Sequence, residues 1–201
     1  MNHKLQVGGS NPPAPTKTMK KYNIILADPP WFYNKRSNPK TKFGLGLYGS
    51  YLPMKTEEIA QLPVPDIADT NCALHLWATS PRLPDAVRVL SGWGFRYCTV
   101  VYCWVKTTLD GQSFRANPGH YSLSNVEHVL LGIRGKMPPQ TLGIRQIVAE
   151  PPREHSRKPD CVRDRIVSMF GDLPRVEMFA RERTNGWDCH GDQVESPELV
   201  L

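Results

Sequence analysis

The sequence has no long apolar run and no regular cysteine pattern. No stretch approaches the roughly 20 apolar residues of a membrane span, and the first residues lack the apolar region of a secretory signal peptide. Its five cysteines are an odd number without a C-x-x-C pair, which favours reduced thiols over a disulfide framework. Cys189 and His190 are adjacent, but no second ligand pair stands at zinc spacing, so no metal site is predicted. We expect a cytoplasmic protein that does not enter a membrane.

Acidic residues are also fewer than basic ones. Lys and Arg number 25 against 19 Asp and Glu, giving a net charge of +6 and favouring a polyanionic partner. The 201 residues, 40% of them hydrophobic, are enough for one domain with a real core. Residues 1–20 offer almost nothing to bury and are predicted to be a flexible segment. A single folded domain is predicted over 21–201.

Strand-forming and helix-forming segments alternate from residue 22 onward. Thr56 is a plausible N-cap for a first helix, Pro84 can open a second that ends near Gly92, and Pro159 a third that ends at Gly171. Alternation of this kind predicts a doubly wound α/β sheet, whose ligands lie beyond the carboxyl ends of the strands. The predicted strands cover 22–27, 73–78, 97–105, 126–133, 147–149 and 175–179, and the first helix covers 56–62.

The tetrapeptide Asp28-Pro29-Pro30-Trp31 directly follows the first predicted strand. A carboxylate, two prolines and an aromatic ring at the end of a strand suit chemistry on the exocyclic amine of a nitrogen base. Such an amine is a poor nucleophile, because its lone pair is delocalised into the ring. Asp28 can accept one N–H of such an amine, and the carbonyl of Pro29 can be presented as a second, preoriented acceptor. Trp31 would then stack on the base. The alternative is an ordinary turn that ends a strand, with Trp31 in the core.

A glycine pattern later in the chain resembles a dinucleotide-binding fingerprint. Gly44, Gly46 and Gly49 have the spacing G-x-G-x-x-G, but no strand is predicted before them and no helix after them. We interpret this segment as a flexible lid that follows the catalytic strand.

The order of motifs along nine-tenths of the chain resembles the MT-A70 methyltransferase family. Besides DPPW, the similar segments are MKTEEI (54–59), LHLWA (74–78), WVK (104–106), EH (127–128) leading to LG (131–132), IVAE (147–150), HSRKPD (155–160), VEMFAR (176–181), GW (186–187) and GDQ (191–193). Such ordered agreement is far more specific than one short motif.

This resemblance implies a Rossmann-like, mostly parallel sheet and S-adenosylmethionine-dependent methylation of adenine N6. It implies a catalytic role for Asp28, Pro29, Pro30 and Trp31. The implied cofactor-binding residues are Asp28, Lys158, Arg181, Arg183, Thr184, Asp192 and Gln193. Relatives often carry His and Asn at the positions of Arg183 and Thr184, and Asn at that of Asp192. The chain resembles a compact bacterial or phage member of the family, and relatives act alone, as homodimers or as heterodimers.

Candidate nucleic-acid contacts lie after the tetrapeptide and between two later strands. Lys35, Arg36, Lys40 and Lys42 place four cations in eight residues, well placed to bind phosphates beside a flipped base. His120 and Tyr121 could line the base pocket or simply pack a loop. Phosphate contacts carry no sequence information, so these residues do not separate DNA from RNA. We expect DNA as the substrate, with RNA as the alternative. A non-catalytic nucleic-acid-binding subunit is the alternative from another class of protein.

Overall fold

The central feature of the protein is a seven-stranded sheet with strand order β5-β3-β4-β2-β1-β6-β7. The computed structural model describes residues 19–33, 52–119, 121–154 and 157–194. The strands are β1 (Tyr22–Ala27), β2 (Ala68–Thr79), β3 (Arg96–Lys106), β4 (Val126–Arg134), β5 (Ile147–Glu150), β6 (Arg175–Met178) and β7 (Asp188–His190). The helices are α1 (Thr56–Ala60), α2 (Val64–Ile67), α3 (Leu83–Gly92) and α4 (Cys161–Phe170), with a short 3₁₀ helix at Ser80–Arg82.

Most neighbouring strands are parallel, as the sequence predicts. β1 pairs in parallel with β2 and β6, and the pairs β3 with β5 and β6 with β7 are also parallel. β4 is antiparallel to both β2 and β3. The fold class is therefore confirmed, and the reversed β4 is an addition to it.

The ends of some strands and helices differ from the predictions, because polar residues there carry no clear pattern. β2 starts five residues earlier than predicted. Its first residues include polar, partly exposed side chains, so they lack the apolar pattern that predicts a buried strand. β7 was not predicted, since three half-buried residues carry no apolar pattern. Thr56 is not the N-cap of α1: that position is Lys55, whose backbone N–H donates to the Glu58 carboxylate at 2.7 Å.

Helices cover both faces of the sheet. α1 and α3 bury Ile59, Val89 and Leu90 on one face, and α4 buries Ile166 and Phe170 on the other. β1 lies between these layers and is apolar at nearly every position, as expected for a parallel strand buried on both sides. The sheet therefore has two apolar cores, one on each face.

The topology brings several polar residues to one edge of the sheet. β1 and β2 run in parallel and end there, at Ala27 and Thr79. The antiparallel β4 begins at the same edge, since Glu127 is paired with Thr79. Asp28, Ser80 and Glu127 therefore lie near the carboxyl ends of the central strands, where α/β proteins bind ligands. Within the described ranges, no helix is long and apolar enough to span a bilayer.

Candidate active site

The site is built around four alternating charges. The Lys158 ammonium contacts Asp28 Oδ2 at 2.7 Å and Glu127 Oε2 at 3.4 Å. The other oxygen of Glu127 accepts from Lys106 Nζ at 2.5 Å. Asp28 thus ends a chain of two carboxylates and two ammonium groups. Its side chain keeps 27% of its surface exposed, so the ion pair does not close it off from a ligand.

The neighbouring charges keep Lys158 and Glu127 ionised against the effect of their burial on each pKa. Burial alone would lower the pKa of Lys158, but the carboxylates of Asp28 and Glu127 raise it above its ordinary value. Burial would likewise raise the pKa of Glu127, and the charges of Lys158 and Lys106 lower it instead. Both groups are therefore charged at neutral pH.

Aromatic rings form the floor beneath the two ammonium groups. Lys158 Nζ lies 5.5 Å from the centroid of the Trp77 ring, and Lys106 Nζ lies 4.8 Å from that of Trp104. The two indoles meet edge to face at 6.3 Å between centroids. Cation–π attraction and the rigid indoles limit where the ammonium groups can move.

The tetrapeptide forms a tight turn. The carbonyl of Pro29 accepts the Trp31 N–H at 2.8 Å, and that of Pro30 accepts the Met54 N–H at 2.8 Å. A carbonyl oxygen has two lone pairs, so Pro29 retains one acceptor position after closing this turn. Asp28 and the Pro29 carbonyl are thus both capable of accepting from an amine.

The structure corrects the expected stacking role of Trp31. Its side chain is 5% exposed and belongs to the apolar core, and its indole N–H donates to the Trp77 carbonyl at 3.0 Å. A ring buried in this way offers no open face to a base. Trp31 instead ties the tetrapeptide to the end of β2, as the alternative interpretation of Trp31 expected. The next residue, Phe32, is an aromatic whose surface is 36% exposed.

The predicted cofactor residues fall in separate places. Arg183 and Thr184 line a cleft of about 300 Å³, together with charged residues of α4 and Trp187. Lys158 contacts Asp28, as described above. Asp192 and Gln193 form the turn between Gly191 and Val194 that follows β7, and Arg181 follows β6. The structure brings Lys158 to the tetrapeptide, and Arg183 and Thr184 to the cleft.

One short segment connects the cleft to the tetrapeptide. Asp160 lines the cleft, two residues after Lys158. Arg153 fixes this segment by donating to the Lys158 carbonyl at 2.6 Å and to the Asp160 carboxylate at 2.7 Å. Arg163 pairs with Asp160 at 2.7 Å and with Glu177 of β6 at 2.7 Å. Lys158 is therefore held in place by a braced loop.

Most of the predicted nucleic-acid contacts lie outside the described residues: Lys35, Arg36, Lys40, Lys42 and His120. The lid predicted around Gly44, Gly46 and Gly49 also lies there, as does nearly all of the segment predicted to be flexible, 1–20. Tyr121 is described, and its side chain is 97% exposed in the connection between β3 and β4. Exposure on that scale is compatible with contact to a partner.

Three site residues were given no role by sequence reasoning: Lys106, Glu127 and Trp77. The position of Lys106 at the end of β3 is a signal that could have been used, because polar residues at parallel strand ends often carry function. Glu127 lies at the beginning of β4 and not at its end. It reaches the site because β4 runs antiparallel to its neighbours. Trp77 has the appearance of an ordinary core residue in the sequence.

The chain belongs to the MT-A70 family, whose sequence profile matches residues 22–193. It is similar to the Type II methyltransferase M.MunI of Mycoplasma sp, with 34% identity over 93% of this chain and 84% of that protein. It is also similar to the human N(6)-adenosine-methyltransferase catalytic subunit METTL3, with 26% identity over 90% of this chain and 29% of that protein.

A third relative is described as non-catalytic. The Arabidopsis thaliana N6-adenosine-methyltransferase non-catalytic subunit MTB is 32% identical over 61% of this chain and 15% of that protein. The chain therefore spans less than a third of the length of these two eukaryotic relatives. The resemblance to a methyltransferase family that the sequence indicates is confirmed.

Proposed function

We propose that this protein is an S-adenosylmethionine-dependent methyltransferase that acts on N6 of adenine in nucleic acid, with DNA the expected substrate. The observation that supports this proposal is the position of Asp28, a partly exposed carboxylate at the end of a central strand. The neighbouring Pro29 carbonyl accepts, among the described residues, only the Trp31 N–H. Family membership supports the reaction class. M.MunI is named a Type II methyltransferase, which supports DNA, whereas the name of METTL3 supports the RNA alternative.

The chain's own residues prepare the amine. Asp28 accepts one N–H and the Pro29 carbonyl accepts the other, so the nitrogen lone pair is localised and the positive charge that develops on nitrogen is stabilised. These acceptors are fixed before the reaction, because the turn is closed by backbone hydrogen bonds and Asp28 is oriented by Lys158. Preorganisation avoids reorientation of the acceptors during transfer.

The described residues fit S-adenosylmethionine in their chemistry. The cofactor supplies an electrophilic methyl group on a sulfonium. The cleft beside Arg183 and Thr184 presents both charged donors and carboxylates, which suit a zwitterion that also carries a ribose diol. Lys158 suits a carboxylate, and Asp192 and Gln193 are further candidates for the ribose and adenine. Arg181 is a candidate contact beside the ribose.

The Asp28→Asn variant tests the reaction. We expect turnover to fall by at least about 10²-fold, because the amide presents one acceptor oxygen and no charge, while the binding of S-adenosylmethionine measured by calorimetry changes little. The readout is nucleoside mass spectrometry of DNA and RNA after incubation with enzyme and cofactor. Asp172→Asn, at a carboxylate that is 86% exposed, is the matched control and should be fully active. Near-normal methylation by Asp28→Asn would contradict the assignment.

The same experiment addresses the non-catalytic alternative, which the similarity to MTB favours. A scaffold subunit is expected to bind nucleic acid without binding S-adenosylmethionine and without methylating it. Cofactor binding by the wild-type chain, together with N6-methyladenine in its product, would exclude that alternative. A requirement for a second subunit, or for a homodimer, would be visible as activity that depends on adding a partner or on protein concentration.

A further inference from the structure

Arg82 contacts the chain immediately after the catalytic tetrapeptide. It lies three residues beyond the end of β2, at the end of the 3₁₀ helix. One guanidinium nitrogen donates to the Phe32 carbonyl, and another donates to Asp85 Oδ2 at 2.8 Å. The guanidinium carbon lies 4.7 Å from the centroid of the Tyr33 ring. The side chains of Arg82 and Asp85 are each 19% exposed, so these interactions are largely shielded from water.

Other contacts fix the same segment from different directions. The Phe32 N–H donates to the Met54 carbonyl at 2.9 Å. The Tyr33 hydroxyl and Thr79 Oγ1 are 2.6 Å apart, which anchors the Tyr33 ring to the end of β2. The backbone of Phe32 is thus hydrogen-bonded through both its N–H and its C=O, and Arg82 donates the hydrogen bond to the C=O.

We propose that Arg82 is a positioning residue for the reaction, which keeps Asp28 and the Pro29 carbonyl in place by holding Phe32 and Tyr33. This inference rests on the proposed function. Arg82 does not touch Asp28; it acts through the short chain segment between them. A small displacement of reacting groups is costly, since about 1 Å can reduce a rate by about 10²-fold.

The geometry requires arginine. A planar guanidinium donates to two acceptors in different directions while its face lies over an aromatic ring, whereas an ammonium is a compact point charge. Lysine at this position could keep the charge and the pair with Asp85. It could not at the same time bond the Phe32 carbonyl and cover the Tyr33 ring.

A purely structural role for Arg82 gives a different expectation. Asp85 lies in the first turn of α3. In the structural alternative, the sole role of Arg82 is to anchor that helix through Asp85. In that case Arg82→Lys would lower the free energy of unfolding without changing the turnover of the folded enzyme. A positioning role predicts lower kcat in a folded protein whose affinity for the cofactor is unchanged.

The experiment compares Arg82→Lys with Arg88→Lys in the full chain. Arg88 also pairs with Asp85, at 3.3 Å, but its side chain is 64% exposed, and its hydrogen bonds to described residues are those to Asp85 and Glu57. For Arg82→Lys we expect kcat to fall by about tenfold or more and the amides of Phe32 and Met54 to exchange hydrogen faster. The dissociation constant for S-adenosylmethionine should not change. Arg88→Lys should match the wild type in every measurement.

Tyr33→Phe supplies a second variant if Arg82→Lys folds poorly. It removes the hydroxyl bond to Thr79 and leaves the ring under the guanidinium, so a smaller fall in kcat is expected. Wild-type kcat and wild-type hydrogen exchange in Arg82→Lys would overturn the proposal, as would unchanged kcat combined with reduced stability. If the wild-type protein methylates no nucleic acid, the proposed function fails, and hydrogen exchange still decides whether Arg82 holds the segment.

Discussion

Lys158 shows how one residue can hold several groups of a site together. It pairs with Asp28 and Glu127 at the same time and lies over the ring of Trp77. Its charge lets two carboxylates lie near each other at the edge of the sheet. Under the proposed function, the ammonium that compensates Asp28 also sets how strongly that carboxylate attracts the N–H of the amine.

Substitution of Lys158 should therefore disturb stability through Asp28. We expect Lys158→Met to reduce the free energy of unfolding by about 1–3 kcal/mol, because it leaves two partly buried carboxylates with one compensating ammonium, that of Lys106. The additional change Asp28→Asn should restore part of this loss. Urea unfolding of the single and double variants measures the coupling.

The control for this cycle is an exposed ion pair. Lys20 and Asp188 are 2.6 Å apart with side chains 57% and 42% exposed, and exposed pairs contribute little. Lys20→Met should change the stability much less than Lys158→Met. Strictly additive effects of Lys158→Met and Asp28→Asn would show that the pair does not couple in solution.

At the scale of elements, the contact between α3 and the sheet depends on a glycine. A Cβ at Gly132 of β4 would lie 2.8 Å from the side chain of Leu90, which is fully buried in α3. The helix therefore packs directly against the backbone of the strand. The distance between α3 and β4 therefore requires a residue without a side chain at position 132.

Gly132→Ala should push α3 away from β4. Overpacking of a close core contact costs about 1–3 kcal/mol, and urea unfolding should detect a loss of that size. Gly92→Ala is the matched control: its Cβ would meet Ala60 Cβ at 3.5 Å, an ordinary contact. Equal stability of the two variants would indicate that Leu90 moves aside without cost.

At the scale of the whole molecule, stability should depend on a buried histidine. His75 in β2 is 0% exposed, and its ring meets Phe170 of α4 at 5.6 Å between centroids. Burial lowers the pKa of His75 to about 3. In the unfolded chain its pKa is ordinary, near 6.5. Between these values the unfolded chain binds a proton that the folded protein does not.

The protein should consequently lose stability as the pH falls below about 6.5. At pH 5 the loss from His75 is about 2 kcal/mol relative to pH 8. Glu127 and Asp160, whose pKa values are lowered in the folded state, add further losses at more acidic pH. Urea unfolding at pH 8 and pH 5 measures the effect. His75→Leu should reduce the difference between the two pH values, and an unchanged difference would contradict the role of His75.

The amino-acid sequence by itself determined the fold class, the alternating elements, the family and the tetrapeptide at the end of β1. These follow from local signals: apolar runs that must be buried, proline and glycine at helix ends, and ordered motifs. The tertiary structure decided that Trp31 is core, that β4 runs antiparallel, that Glu127 and Lys106 continue the ion pairs that start at Asp28, and that Arg82 contacts the two residues after the tetrapeptide. Those contacts join residues far apart in the chain, and their geometry depends on how whole strands pair, which no local pattern of residues encodes.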